Sequence, residues 1–331
     1  LSEEFVREYV FPMFRCNAIY EGEYLLGTAI ARPLIAKKLV EVSIQEGADI
    51  ISHGATGKGN DQIRFEMGAK ALNRNIEIIA PWREWNMTSR TDLMNYCLKH
   101  QIPMPASKAE DPPFSMDENL LHISYEGGIL EDLTESPPEE MWQNVKSLEE
   151  ASDSGEIISI EFKNGDPIAI NGKQFSPAKI LRKLNEYGCN HGIGRIDIVE
   201  SRATGMKSRG CYETPGGTIL LKARRAIESL CLSGLAIKTK DSLIPSYASL
   251  IYEGLWWSNE RKRLQNLIDE SSKSVNGFVK IKLYKGNIIH LSKESNNSLY
   301  DENKASFEEE GGFSNEDMEK YIKNNILTWS K

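Results

Sequence analysis

Between residues 31 and 80 the hydrophobic period of this chain alternates between helical and extended, and that alternation narrows the fold more than any other feature. Leu34, Ile35, Leu39, Val42 and Ile44 recur at helical spacing through residues 31–46, Gly47 stops the run, and residues 48–52 form a short apolar strand. A glycine-bearing loop leads into an amphipathic helix over residues 60–72, and a second apolar strand, residues 76–80, closes on Pro81-Trp82. Helix, strand, helix, strand with short connections predicts a parallel sheet, because parallel neighbours need a crossover between them. The fold class expected here is α/β.

The loop itself carries chemistry. Residues 52–66 set Gly54, Gly57 and Gly59 among His53, Thr56, Lys58, Asn60, Asp61 and Arg64, so that backbone amides and a helix N-terminus face one small space. Such a space suits an anionic ligand. Neither common phosphate motif fits: Gly59 follows Lys58 where a Ser or Thr is needed, and Gln62 stands where Gly-x-Gly-x-x-Gly needs its last glycine. A plain strand-to-helix connection would need only an Asn or Asp cap. The loop holds more than that, with Thr56, Asn60 and Asp61 able to grip a polar ligand and Asn60 and Arg64 on one face of the first turn.

Any anion site must be local, because the 331 residues carry a net charge of -8 and no Lys/Arg-rich block. Nucleic acid and anionic membrane are excluded as main partners on that ground. No apolar run approaches the length of a membrane span. The five cysteines (Cys16, Cys97, Cys189, Cys211, Cys231) are scattered without a Cys-x-x-Cys pair, which fits a reducing cytoplasm and suggests neither disulfides nor a metal site. The chain starts at Leu1, without a methionine, where a helical pattern over residues 2–10 already begins, so an N-terminally incomplete chain is expected.

Further along, helices are expected from Ser89 or Thr91 to His100, over 176–187 with Pro177 at the first position, from Thr218 onward, and over a long stretch at 246–272. Hairpins are expected at 157–162 with 167–170 and at 278–284 with 288–292. Residues 107–113 and 131–156 read as exposed connections. Ser115 and Glu118 form a Ser-x-x-Glu capping box, which by itself predicts a helix start, and Ser124 has no motif of its own. Residues 205–217 read as a polar binding loop. The last helix, 315–329, sets Met318, Tyr321, Ile322 and Ile326 on one face, to pack on the domain or on a partner subunit.

Glu200 ends the strand 195–200 on the same face as Ile196 and Ile198. A carboxylate on an apolar face needs a partner, either an ammonium-bearing ligand or an internal cation such as Arg195, Arg202 or Arg209.

Four blocks, residues 24–33 (Tyr24-Leu25-Leu26-Gly27-Thr28-Ala29-Ile30-Ala31-Arg32-Pro33), 53–64, 115–126 and 194–215, resemble the argininosuccinate synthases, in order and over nearly the whole chain. The resemblance implies an adenine nucleotide α-hydrolase-like, parallel-sheet nucleotide-binding domain whose remainder is residues 1–105. It also implies an α+β synthetase and multimerisation domain at 106–293, and a polar tail with an oligomerisation helix at 294–331. It implies an ATP-dependent C–N ligase of the cytoplasm that joins citrulline to aspartate through a citrulline-adenylate, with Mg²⁺ accompanying ATP, no tightly bound cofactor, and a homotetrameric assembly. By the same resemblance Tyr24, Asn60, Arg64, Ser115, Ser124, Glu200 and Tyr212 contact citrulline, Thr56, Asn60 and Asp61 contact aspartate, and Gly54 contacts ATP.

Two departures stand out. Ala29 replaces a hydroxyl residue, with Thr28 beside it to compensate, and the family's Ser-Gly-Gly-type loop for the pyrophosphate end of ATP does not occur in these residues. A second reading is therefore a truncated homologue that binds amino acids, or only assembles, without catalysis.

Overall fold

The computed structural model describes residues 1–56, 59–87, 89–103, 114–305 and 314–329. Gly57, Lys58 and the expected connection at 107–113 lie outside the described residues.

The chain opens with a continuous helical stretch: α1 (Ser2–Phe5), a π-helical turn (Val6–Val10) and α2 (Phe11–Arg15). Its buried side chains, among them Val6, Tyr9, Val10 and Phe14, belong to the large core built mostly by residues after 158. Leu26, in the left-handed conformation, turns the chain into α3 (Gly27–Gln45), which begins at Gly27 rather than at residue 31.

Strands β1 (Ile50–Ser52) and β2 (Glu77–Ile79) pair in parallel, Ile51 opposite Ile78, with α4 (Asn60–Leu72) as the crossover. Val40, Ile51, Ala69 and Ile76 form a small core where α3 and α4 cover these strands. The parallel α/β unit is thus present on the α4 boundaries expected, as a two-stranded sheet among the described residues. α5 (Arg90–Lys99) follows, capped by Ser89 and Asp92.

The next region contains two antiparallel sheets. The first is ordered β3 (Ser115–Glu118), β4 (Ile123–Glu126), β9 (Lys207–Glu213), β8 (Arg195–Ser201). It corrects two expectations. The Ser115/Glu118 capping box starts no helix, because Ser115 to Glu118 pairs residue for residue with Glu126 to Ile123 and Asn119 makes the turn by accepting from the Leu121 amide. Residues 207–213 are no loop: they are a strand paired on both sides, whose polar side chains are used inside the sheet. Arg209 pairs with Asp197, and the buried Glu213 accepts from Tyr125 and from the amides of Gln143, Asn144 and Val145.

The second sheet is ordered β11 (Asn287–Glu294), β10 (Gly277–Tyr284), β5 (Glu156–Lys163), β6 (Asp166–Ile170), β7 (Lys173–Gln174), and includes both expected hairpins. Ile158, Ile160 and Phe162 alternate inward with Val279, Ile281 and Leu283, as a half-buried sheet requires. Helices α6 (Pro177–Asn190) and α7 (Pro215–Cys231) cover it. α8 (Gly234–Ser242) precedes a pair that corrects the long helix expected at 246–272. That stretch divides into α9 (Ile244–Tyr252) and α10 (Asn259–Ser272), because Gly254 takes a φ of +82° and Ser258 caps the second helix. A short α11 (Glu302–Ala305) precedes α12 (Asn315–Trp329), whose Met318, Tyr321, Ile322 and Ile326 are exposed. No described helix is long and apolar enough to cross a membrane.

Candidate active site

Where the N-terminus of α4 meets the face of the β3–β4–β9–β8 sheet lies a polar cleft of about 280 Å³. Its lining includes every residue for which the resemblance implies a ligand contact: Tyr24, Gly54, Thr56, Asn60, Asp61, Arg64, Ser115, Ser124, Glu200 and Tyr212. They come from the segment before α3, from the loop and first turns of α4, and from four antiparallel strands.

On the α4 side, the helix is capped by Gly59 without a side-chain bond, so Asn60 and Asp61 are not spent as caps. Asn60 donates from Nδ2 to the Tyr252 hydroxyl at 3.0 Å, and its Oδ1 is buried without a partner among the described residues. Asp61 is held by two arginines, Arg32 at 2.6 Å on Oδ2 and Arg64 at 2.9 Å on Oδ1. Arg32 also reaches Asp117 at 2.7 Å. Burial alone would raise the Asp61 pKa, but the two guanidiniums outweigh it and hold the carboxyl below its ordinary value. Arg64 donates from Nε to the Tyr252 carbonyl at 2.7 Å and keeps further N–H groups of its fork for a ligand.

The sheet side is different. Glu200 is buried, and it accepts from the hydroxyls of Tyr212 at 2.9 Å and Tyr252 at 2.7 Å. The three arginines weighed as internal partners are engaged elsewhere: Arg195 with Glu139, Arg202 with Glu126, Arg209 with Asp197. Burial pushes the Glu200 pKa up, against the two tyrosine hydrogen bonds and the Arg64 charge, which pull it down. An ionised carboxylate there is under-compensated, and a ligand ammonium is the group that would complete it.

Tyr24 stacks on Tyr212 at 4.3 Å between ring centroids, and its hydroxyl accepts from the Thr28 amide at 3.0 Å. Burial pushes its pKa up to about 12. Ala29 is fully buried and does not line the cleft, whereas the Thr28 hydroxyl does, 2.9 Å from His122 Nε2 and 3.5 Å from the Ser124 hydroxyl. The His122 ring lies where a side chain at residue 27 would stand, so Gly27 is required by close approach. Ser115 sits exposed at the rim with Thr56 and Gly54.

Three residues important to this geometry carried no motif. Arg32 lies four residues after Thr28 on α3, a spacing that could have placed it on the cleft face. Asp117 alternates onto the β3 face opposite Met116, a signal hidden while the segment reads as a helix start. Tyr252 falls in the apolar pattern of α9 and gave no sequence signal at all.

Together, a parallel α/β unit and a region of two antiparallel sheets define a two-part α/β protein with a polar cleft between them. Models of the arginosuccinate synthase N-terminal HUP domain and C-terminal domain match residues 1–103 and 114–331. The argininosuccinate synthase of Saccharophagus degradans is 59% identical over 329 residues, covering 99% of this chain and 80% of that protein. Those of Stutzerimonas stutzeri and Campylobacter lari are 58% and 60% identical over 328 residues, covering 99% of this chain and 81% and 80% of theirs. The chain belongs to the argininosuccinate synthase family.

Proposed function

We propose that this chain catalyses the ATP-dependent joining of L-citrulline and L-aspartate to argininosuccinate, with release of AMP and pyrophosphate. The single observation that carries the reading is the buried Glu200 carboxylate, which among the described residues has only tyrosine hydroxyls as hydrogen-bond partners and faces a cleft that also holds Arg64. That pair offers one site for an ammonium and one for a carboxylate, the two charged groups on the α-carbon of an amino acid.

In this reading citrulline lies along Glu200, Tyr212, Tyr24, Ser124, Ser115 and Arg64, with its ureido group toward Asn60. The ureido oxygen attacks the α-phosphorus of ATP and pyrophosphate leaves. Aspartate, held by Thr56, Asn60 and Asp61, then attacks the activated ureido carbon through its amine, and AMP leaves with the oxygen that citrulline supplied. The unpartnered Oδ1 of Asn60 is an acceptor for an N–H of either amino acid. Thr28 takes the place of the hydroxyl that Ala29 lacks. Rate enhancement in such a site comes from holding the nucleophile against the reacting atom and from fixed charges. Gly54 is the nucleotide contact among these residues, and Mg²⁺ enters with ATP as part of the substrate. The free cysteines suit a cytoplasmic enzyme. The exposed Met318, Tyr321, Ile322 and Ile326 face of α12 is where copies would meet in a homotetramer, read by sedimentation equilibrium.

The test is AMP and pyrophosphate release from ATP with citrulline and aspartate supplied singly and together. AMP release that requires both supports the reading. AMP release indifferent to citrulline, or a protein that binds neither amino acid, removes it.

A further inference from the structure

One side chain outside the cleft lining touches the proposed amino-acid contacts from behind. Tyr252, at the end of α9, is buried. Its hydroxyl accepts from Asn60 Nδ2 at 3.0 Å and donates to Glu200 Oε1 at 2.7 Å. Its carbonyl accepts from Arg64 Nε at 2.7 Å, and the Arg64 guanidinium lies 4.8 Å from the centre of its ring. The other face of the ring is fixed by a parallel stack on Tyr20, with centroids 3.9 Å apart. Two residues later the backbone of Gly254 comes so close to α4 that a Cβ there would stand 2.8 Å from the Arg64 Cα, at a φ of +82°. The break between α9 and α10 therefore presses this tyrosine against the first turns of α4 while its hydroxyl reaches β8.

We propose that Tyr252 is a positioning residue that couples the two amino-acid subsites: through one hydroxyl it sets Asn60, shared by citrulline and aspartate, against Glu200 at the citrulline ammonium. This rests on the functional reading above. A phenol that donates to Glu200 must accept from Asn60, and this fixes the Asn60 amide with Nδ2 toward Tyr252 and Oδ1 toward the substrates. The orphaned Oδ1 is the consequence. Without the hydroxyl the amide is free to rotate, and both ligands lose the oriented acceptor.

Tyr252→Phe keeps both ring contacts and removes only the hydroxyl, whereas Tyr212→Phe removes the other donor to Glu200 without touching Asn60. Citrulline and aspartate affinities are measured by calorimetry, and KM and kcat by AMP release, on wild type and both variants. The expected result is a loss of about tenfold for both amino acids in Tyr252→Phe and for citrulline alone in Tyr212→Phe, consistent with loss of hydrogen bonds to oriented and charged groups. Equal effects of the two variants on aspartate, or no effect of Tyr252→Phe on aspartate, overturns the proposal. Loss of binding in wild type would instead remove the functional reading. The acid limb of citrulline binding gives a readout that packing does not move. Glu200, on which the charges of Arg64 and Glu126 act in opposite directions, loses one of its two donors in Tyr252→Phe, so affinity should fall at a higher pH than in wild type. An unshifted limb also overturns the proposal, and this comparison holds even if the variant is less stable, provided it folds at the assay temperature.

Discussion

The two walls of the cleft handle charge in opposite ways. On the α4 wall, Asp61 sits between Arg32 and Arg64, and Arg32 is shared with Asp117, so charge is balanced before any ligand arrives. On the sheet wall, Glu200 is buried against two tyrosine hydroxyls, while nearby arginines are paired with other carboxylates. The first wall is a preassembled network whose members hold one another in place. The second stores an electrostatic deficit that a bound cation relieves, the usual trade of stability for binding at a functional site. The difference separates charges that are paired within the protein from one, on Glu200, that burial leaves under-compensated.

The strongest way to break this comparison is Arg32→Ala. It strips Asp117 of its guanidinium and leaves Asp61 with Arg64 alone, and the loss of folding stability should be roughly 3 kcal/mol, the low end for breaking a buried pair because both carboxylates keep some solvent. Urea unfolding measures it, and a loss within error would mean that the α4 wall is not a preassembled network.

Arg64→Ala should weaken citrulline-dependent pyrophosphate release by about 1.5 to 3 kcal/mol, the range for a hydrogen bond to a charged group. The assay reads this as an elevated KM for citrulline. An unchanged KM would assign Arg64 wholly to the internal network with Asp61 and Tyr252.

An effect that depends on pH is expected at His122, which lies behind both walls. Burial, with the Arg32 charge adding to it, lowers its pKa to about 3. A histidine depressed in the folded state contributes stability that is present above its ordinary value near 6.5 and is lost as pH falls from there toward 3. Stability should therefore decline with acid over that window, by at most about 1.4 kcal/mol per pH unit from this group. His122→Gln, which keeps a group near Thr28, should flatten the slope in urea melts taken from pH 6.5 to 4. A slope identical to wild type would show that His122 is not held neutral.

How much of this was readable from sequence follows the same division. Apart from Arg32 and Asp117, the α4 wall is local: the loop glycines, Asn60, Asp61 and Arg64 lie within a dozen positions, and the helix Asn60–Leu72 has the boundaries its pattern predicts. The sheet wall is assembled from strands far apart in sequence. Ser115 reads as a helix cap because the Ser-x-x-Glu signature is local, whereas pairing with Glu126 decides the conformation. Residues 207–213 look like a loop because their polar side chains find partners only across the sheet, as Arg209 does with Asp197. The resemblance brought in Ser115 and Ser124, which no residue pattern had marked as ligand contacts. Neither route reached Tyr252, whose two hydroxyl partners are 192 and 52 residues away.

Glu200→Gln tests the contrast between the walls most directly, with citrulline affinity by calorimetry and the melting temperature of the ligand-free protein measured together at pH 7. A carboxyl whose pKa is raised by folding favours the folded state below its ordinary value and loses that contribution as pH rises, so the ionised form costs stability at neutral pH. The account predicts that the variant melts no lower than wild type and binds citrulline more weakly by about 1.5 to 3 kcal/mol. A variant that melts well below wild type, yet binds citrulline as tightly once folded, would contradict it.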